Sequence, residues 1–442
     1  AAMSAESSDS PLVSPISLAD LADSVHTDQQ RLQDVINEAC DRIELLDLQV
    51  RAVLPEAGRR ERLLAEAEQL AARYPDRDSR PPLYGVLVGV KDIIAVDGFD
   101  TRAGSALPPE AFDMPEAPAI TRCREAGALI LGKTVTTEFA MREPGSTANP
   151  HNLAHTPGGS SSGSAAGLAA GYFPLAFGTQ TVGSVLRPAA FCGVVGYKPS
   201  HERISRDGVV TYSRSVDHVG MFTADAASMR RAAAVVCDAW DPAAASDIDG
   251  DPDAMPTIGV TEGPYLDQAT PEGTAAMERA LQRMEAAGAR VVRFQMFNNI
   301  AEIAARHQAL IAAEFAEAHA ERWPRYAWLY RPWSATHVEE GQRVPPAVAE
   351  EARHSRLELR SRLTDLMNEH NLDLLASVPA LGAAPLGLGA TGEPAMNLPW
   401  THSGLPAVSL PAGTNEAGLP LGIQLAARFE QDERLLAWAE RL

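Results

Sequence analysis

The sequence predicts an α/β protein whose sheet is covered by helices on both faces. Segments with apolar residues at helical spacing alternate with short runs that are apolar almost throughout. Such runs are what strands buried on both faces look like. A third observation concerns organisation: no internal repeat, heptad run or convincing linker divides the 442 residues, so the chain reads as one large domain. With 45% apolar and 22% charged residues, it has the composition of a soluble globular protein with a sizeable core.

Residues 1–15 read as a disordered lead, in which Ala1-Ala2 ahead of Met3 resembles a cloning remnant. Residues 16–80 read as N-terminal helices packed on the core. Leu32, Val35, Ile36, Ile43 and Leu46 recur at helical spacing within 28–50, and 59–73 is almost all Ala, Leu, Glu and Arg, good helix formers. The pattern breaks from Asp76 to Pro82. Tyr84 to Val90 then reads as a buried strand ending at Lys91-Asp92, followed by a helix over 120–126 and a strand over 128–131. Residues 145–196 hold ten glycines in 52 positions, far above the ~7% average, which implies unusual backbone or close approach to something. The acidic, Ala- and Pro-rich stretch 241–256 reads as a surface loop. The α/β rhythm resumes with strand 257–260, helix 274–287, strand 290–294 and long helices near 299–322 and 347–369. Strands 372–378, 407–410 and 421–425 follow, then a helix from Asp432.

Several function classes are excluded by composition. Thirty-eight basic against 58 acidic residues give a formal charge of −20, the wrong sign for a general nucleic-acid binder. No apolar run approaches the ~20 residues of a membrane span, and the first residues lack the basic and apolar regions of a secretory signal. Cys40, Cys123, Cys192 and Cys237 lie far apart, so neither a zinc site nor a disulfide framework is indicated, and a reducing, cytoplasmic setting is expected. Asp247, Asp249, Asp251 and Asp253 alternate like calcium ligands. However, the twelfth position from Asp247 is Ile258 rather than Glu, so no calcium site is expected. Only three of the basic residues are lysines: Lys91, Lys133 and Lys198. Unlike arginine, a buried lysine can lose its proton and act as a base.

Two motifs fit familiar patterns only formally. Gly127 to Thr134 matches GxxxxGK[ST], but its middle residues look like a strand rather than a phosphate-binding loop. Gly159-Ser160-Ser161-Ser162-Gly163 matches the nucleophile elbow GxSxG, but loop formers, not a strand, precede it. Downstream, His218, His370 and His402 have no distinctive setting.

A third constellation is more specific. It joins GVLVGVKD (85–92), EAGALILGKTVTTEFA, TPGGSSSGSAAGLAAG and GTQTVGSVLRPAAFCGVVGYKPS. It continues in SVDHVGMF (215–222), LPWTHSGLPAVSLPAG (398–413) and GLPLGIQLAARFEQDERLLAWA (418–439). In these segments, their order and the 24-residue separation of Ser160 from Ser184, the chain resembles the amidase signature family. That family includes fatty acid amide hydrolase and the amidase component of glutamyl-tRNA amidotransferase.

The resemblance implies a single α/β/α domain with a large mixed sheet, its signature core spanning 81–442. It implies hydrolysis of a linear carboxylic amide, and less readily an ester, through an acyl-enzyme. Ser184 would be the nucleophile and Ser160, preceded by a cis peptide, the bridging serine. Lys91 would be the base, and the N–H groups of Thr181, Val182, Gly183 and Ser184 would form the oxyanion hole. Gln180, where many relatives carry Asp, and Arg187 would order the turn. Lys133 and Lys198 are assigned to structure. Neither metal nor cofactor is implied; the expected partner is a small-molecule amide, and a homodimer is compatible.

Three departures from the family pattern bear on this. Val182 replaces a residue that is commonly Gly or Ala, and a β-branched side chain resists positive φ and adds bulk. Arg187 stands one position later than usual, and His201-Glu202 replaces an aromatic-Gly pair. Between Trp323 and Trp333 lie five aromatics, read either as packing at a helix end or as a pocket wall formed by Trp328 and Tyr330. Two other functions stay open: an ammonia-releasing component of an amidotransferase complex, and a binding protein whose site is weakened at Val182.

Overall fold

The computed structural model describes residues 10–442. Of the lead expected over 1–15, residues 1–9 lie outside the described residues. The other six are tied to the core, Ser10 Oγ donating to Pro150 O at 2.8 Å and Ser14 N–H to Ala169 O at 2.9 Å.

One mixed sheet of ten strands organises the chain. The strands are β1 (Leu87–Lys91), β2 (Leu129–Thr134), β3 (Leu175–Gln180), β4 (Val195–Lys198), β5 (His218–Thr223), β6 (Thr257–Glu262), β7 (Arg290–Gln295), β8 (Leu374–Ser377), β9 (Ala407–Thr414) and β10 (Pro420–Ala426). Their order across the sheet is β2-β1-β3-β5-β4-β9-β10-β8-β6-β7. β1 pairs in parallel with β2 and β3, as β6 does with β7 and β8. The five ladders from β3 to β8 are antiparallel. Helices that cross between the parallel strands cover both faces, giving the expected α/β/α layering. Helices 59–73, 162–169, 186–192 and 271–286 pack on one face; helices 118–125, 226–236 and 432–441 pack on the other.

The strands bury both faces, and their side chains divide between two apolar clusters. Val88 and Val90 join Ile130 and Phe177 in one, while Leu87 joins Leu129, Leu131 and Ala176 in the other. Helix Leu32–Val50 buries Leu32, Val35, Ile36, Ala39, Cys40, Ile43, Leu46 and Val50, one continuous stripe of 3.6 period. Helix Arg59–Arg73 buries only Leu63 and Ala67, four residues apart on a single edge.

The glycine-rich stretch is core rather than loop. It supplies β3, β4 and helices Ser162–Ala169 and Leu186–Cys192, all of their residues buried. Helix Ser162–Ala169 is small-sided because it lies hard against neighbouring backbone: a Cβ on Gly163 would sit 2.1 Å from Ala52 O and 2.4 Å from Val135 N. Helices Leu18–His26, Ala226–Val236 and Pro332–Arg343 were not foreseen. The long helices Ile300–Ala318 and Pro346–Glu369 pack together and on the short helix Leu398–Ser403.

Candidate active site

The carboxyl ends of β1 and β3 lie side by side, because the two strands run parallel with Val90 opposite Phe177. Lys91 closes β1 and alternates with Val90, so it lies on the Leu87 side of the sheet, where helix 162–169 packs. Ser160 and Ser161 immediately precede that helix, and the Gly159–Ser160 peptide is cis. Lys91 Nζ lies 2.7 Å from Ser160 Oγ, 3.0 Å from Ser161 Oγ and 2.8 Å from Thr179 Oγ1. The side chain has no solvent exposure. Burial therefore drives its pKa well below the ordinary lysine value, opposed only in part by the negative charge of Asp217.

Beyond β3 the chain turns sharply through residues 181–184, and three carbonyls of that turn are anchored in the protein. Thr181 O accepts from His307 Nε2 at 3.0 Å, Val182 O from Thr401 Oγ1 at 2.6 Å, and Gly183 O from Arg187 N–H at 3.1 Å. In a trans peptide the carbonyl of one residue and the N–H of the next point in opposite directions. Fixing these three oxygens therefore aims the N–H groups of Val182, Gly183 and Ser184 the other way. Among the described residues, no acceptor is bonded to those three donors or to Thr181 N–H. Gly183 has no room for a side chain: a Cβ there would lie 2.3 Å from Asn397 Oδ1. Val182 does not occupy the positive-φ region, so its β-branch is carried without backbone strain.

Gln180 and Arg187 brace the turn from either side. Gln180 Oε1 accepts the N–H groups of Val185 and Leu186, both at 2.9 Å, and its Nε2 donates to Thr401 Oγ1. Arg187 donates to Gly159 O at 2.7 Å and Thr391 O at 3.0 Å, which links the turn to the serine loop. Its Nη1 is buried without a partner, and burial lowers its pKa to about 10. Asp217, in the SVDHVGMF segment, accepts Thr181 Oγ1–H at 2.6 Å and the N–H groups of Tyr212 and Ser213. Burial raises its pKa to about 6 against those hydrogen bonds. Neither Asp217 nor Thr401 stands out in the sequence, although both lie inside the family segments; His307 lies in none.

Ser184 is half-buried and faces a cleft of about 380 Å³. The cleft is walled by residues 181–184, Arg187, Arg142, Tyr212, Trp333, Glu340 and Glu393. Lys91 and Ser160 are thus brought together behind Ser184, but no hydrogen bond joins Ser160 to Ser184 among the described residues. The aromatic stretch needs a correction. Trp328 is 81% exposed, and Tyr330 is buried with its hydroxyl 2.7 Å from His319 Nδ1 and its ring 4.8 Å from that of Phe139. Neither lines the cleft; from that stretch only Trp333 does, because helix Pro332–Arg343 turns it inward.

Comparison with known proteins accords with this arrangement. A family model described as Amidase matches residues 34–436. The chain belongs to the amidase signature family. It is 34% identical over 423 residues to the amidase component (GatA) of the glutamyl-tRNA(Gln) amidotransferase of Thermus thermophilus, covering 85% of this chain and 86% of that one. It is 30% identical to the same component from a Synechococcus species, covering 90% and 91%. Among solved structures it resembles the peptide amidase of Stenotrophomonas maltophilia, with a TM-score of 0.80, 26% identity and 96% of each chain covered. It also resembles a chain from a vestigial protein complex linked to the origins of an s-triazine catabolic enzyme, with a TM-score of 0.85, 27% identity, and 97% and 98% covered.

Within this amidase fold the formal motif matches have other roles. Lys133 lies in β2 rather than in a loop, and its Nζ pairs with buried Asp92 at 2.8 Å. Lys198 donates to Pro199 O and Leu405 O, and burial brings its pKa down to about 7. Ser161 Oγ is fully buried, donates to Thr179 O and accepts from Thr179 N–H, so it does not face the cleft. Asp247 and Asp249 pair with Arg434 and Arg230. Glu202, where an aromatic-Gly pair is usual in the family, holds φ at 69° and pairs with Arg206 at 2.7 Å. The four cysteines are buried and unpaired, and among the described residues no helix is long and apolar enough to cross a membrane.

Proposed function

We propose that the chain is an amidohydrolase that cleaves a linear carboxylic amide through an acyl-enzyme on Ser184. The observation that carries this reading is Lys91: a lysine without solvent contact, held 2.7 Å from Ser160 behind a cleft-facing serine whose neighbouring N–H groups have no internal acceptor. In the neutral amine, Nζ has a lone pair that takes the Ser160 hydroxyl proton as Ser160 takes that of Ser184. Ser184 Oγ then bonds to the carbonyl carbon, and the C=O electron pair moves onto oxygen, facing the N–H groups of the turn. Collapse breaks the C–N bond, and the proton returns through Ser160 to the departing nitrogen. Water repeats the cycle on the ester and frees the acid. Arg142, Arg187, Glu340 and Glu393 give the cleft charges of both signs, which suits a small polar amide better than a long alkyl chain.

A second reading is favoured by one observation. The curated relatives at 30–34% identity are components of amidotransferases, so the same chemistry could release ammonia for a partner. A serine-directed fluorophosphonate with peptide mapping tests the first reading. Labelling of Gly183-Ser184-Val185, lost in Ser184→Ala, is expected; labelling at Ser161 would overturn it, and no labelling would favour a binding protein. Hydrolysis of a panel of aliphatic, aryl and amino-acid amides by the isolated chain separates a free amidase from a component that works only with its partner.

A further inference from the structure

Behind the turn runs a line of buried polar groups that no step above uses. His307, on helix 300–318, places Nε2 3.0 Å from Thr181 O and Nδ1 3.1 Å from Nδ1 of His402. His402, on helix 398–403, places Nε2 2.9 Å from Ser355 Oγ on helix 346–369. All three side chains are buried.

The end of this line sets its direction. A carbonyl oxygen only accepts, so His307 Nε2 carries the hydrogen. A neutral imidazole has one N–H, so His307 Nδ1 accepts and His402 Nδ1 must donate. His402 Nε2 then accepts, and the Ser355 hydroxyl donates to it. The competing acceptor for that hydroxyl, Ala352 O at 2.8 Å, is a helix carbonyl already served by its own ladder. Burial keeps both rings neutral, lowering the pKa of His307 to about 4 and that of His402, which also feels His307, to about 2.

We propose that Ser355, His402 and His307 form a one-way hydrogen-bond chain that fixes the Thr181 carbonyl and so aims Val182 N–H, making both histidines positioning residues of the oxyanion turn. The inference rests on the proposed function for the role of that turn, but its geometry can be tested without it. Three helices that are separate in sequence converge on one peptide plane. Leu, Phe or Met at 307 would fill the same space yet leave that carbonyl unheld.

Selective ¹⁵N-histidine NMR of the full chain at neutral pH reads the two tautomers directly. The expected result is Nε2–H on His307 and Nδ1–H on His402; the reverse pair, or a charged ring at either position, overturns the proposal. The kinetic arm uses inactivation by a fluorophosphonate. His307→Leu should lower the first-order inactivation constant roughly 10- to 100-fold, with the binding constant within about twofold. His307→Gln, whose amide reaches where Nε2 lies, should regain most of the loss. A folded His307→Leu with wild-type inactivation would reduce the chain to packing, and if that variant does not fold, the tautomers decide alone. Failure of the wild type to react at Ser184 would instead strike the proposed function and leave the tautomer result standing.

Discussion

Lys91 carries an ionisable nitrogen where water does not reach, and that has two measurable consequences. The neutral amine is the working form, so activity should rise with pH along a limb set by its lowered pKa. Lys91→Arg keeps a charge but cannot act as base, and Lys91→Ala removes the group. Both should lose roughly 10²–10⁴-fold in kcat, with that limb gone from any residual rate. Near-normal activity in Lys91→Arg would make Lys91 a structural charge. The second consequence is thermodynamic. Between the lowered folded pKa and the ordinary value near 10.4, the unfolded chain binds a proton that the folded site refuses, so stability rises with pH. Wild type should therefore gain on Lys91→Met by up to about 1.4 kcal/mol per pH unit within that window. Urea unfolding of both proteins at pH 7 and pH 9 measures the difference, and Lys198, common to both, cancels.

At the scale of elements, the decisive piece is a four-residue turn whose supports come from elsewhere. Gln180→Leu strands the N–H groups of Val185 and Leu186 and frees Thr401, so about 2–4 kcal/mol of stability should be lost. Denaturant titration checks the loss, and inactivation by fluorophosphonate should slow with it. How much of this was legible in the sequence depends on the range of the contacts. Helix 59–73 could be placed from composition alone, and helix 32–50 from its apolar stripe, because their signals are local. Helix 162–169 could not, since its buried residues are Ser, Gly and Ala on nearly every side and show no period. The site residues Lys91, Ser160 and Ser184 were readable from family segments. The anchors at Thr401 and His307 were not, since each lies over 100 positions away from the carbonyl it holds.

Across the whole molecule, the cleft is assembled from stretches around residues 140, 181–187, 308–312, 333–340 and 390–394, which no single segment announces. This separates the roles of neighbouring aromatics. Trp333→Ala should shift KM among aryl and aliphatic amides several-fold with little change in stability, because it alters one wall of the cleft. Trp328→Ala should change neither, its ring being 81% exposed. Tyr330→Ala should cost about 3–5 kcal/mol by emptying a buried site and orphaning His319 Nδ1, with unaltered selectivity in what remains folded. Thermal melts and a substrate panel for the three variants check these outcomes together.

The three lysines are at most 4% exposed, and the first nine residues contain none. This chain therefore offers amine-directed chemistry no surface side chain, and its N-terminal α-amine is the one ready target. An N-hydroxysuccinimide ester at neutral pH should add a single tag, detectable as one mass increment on the intact protein. Coupling to an activated support would then hold every molecule by the same end with its cleft unmodified. Glutaraldehyde, which needs amines in pairs, should barely crosslink it.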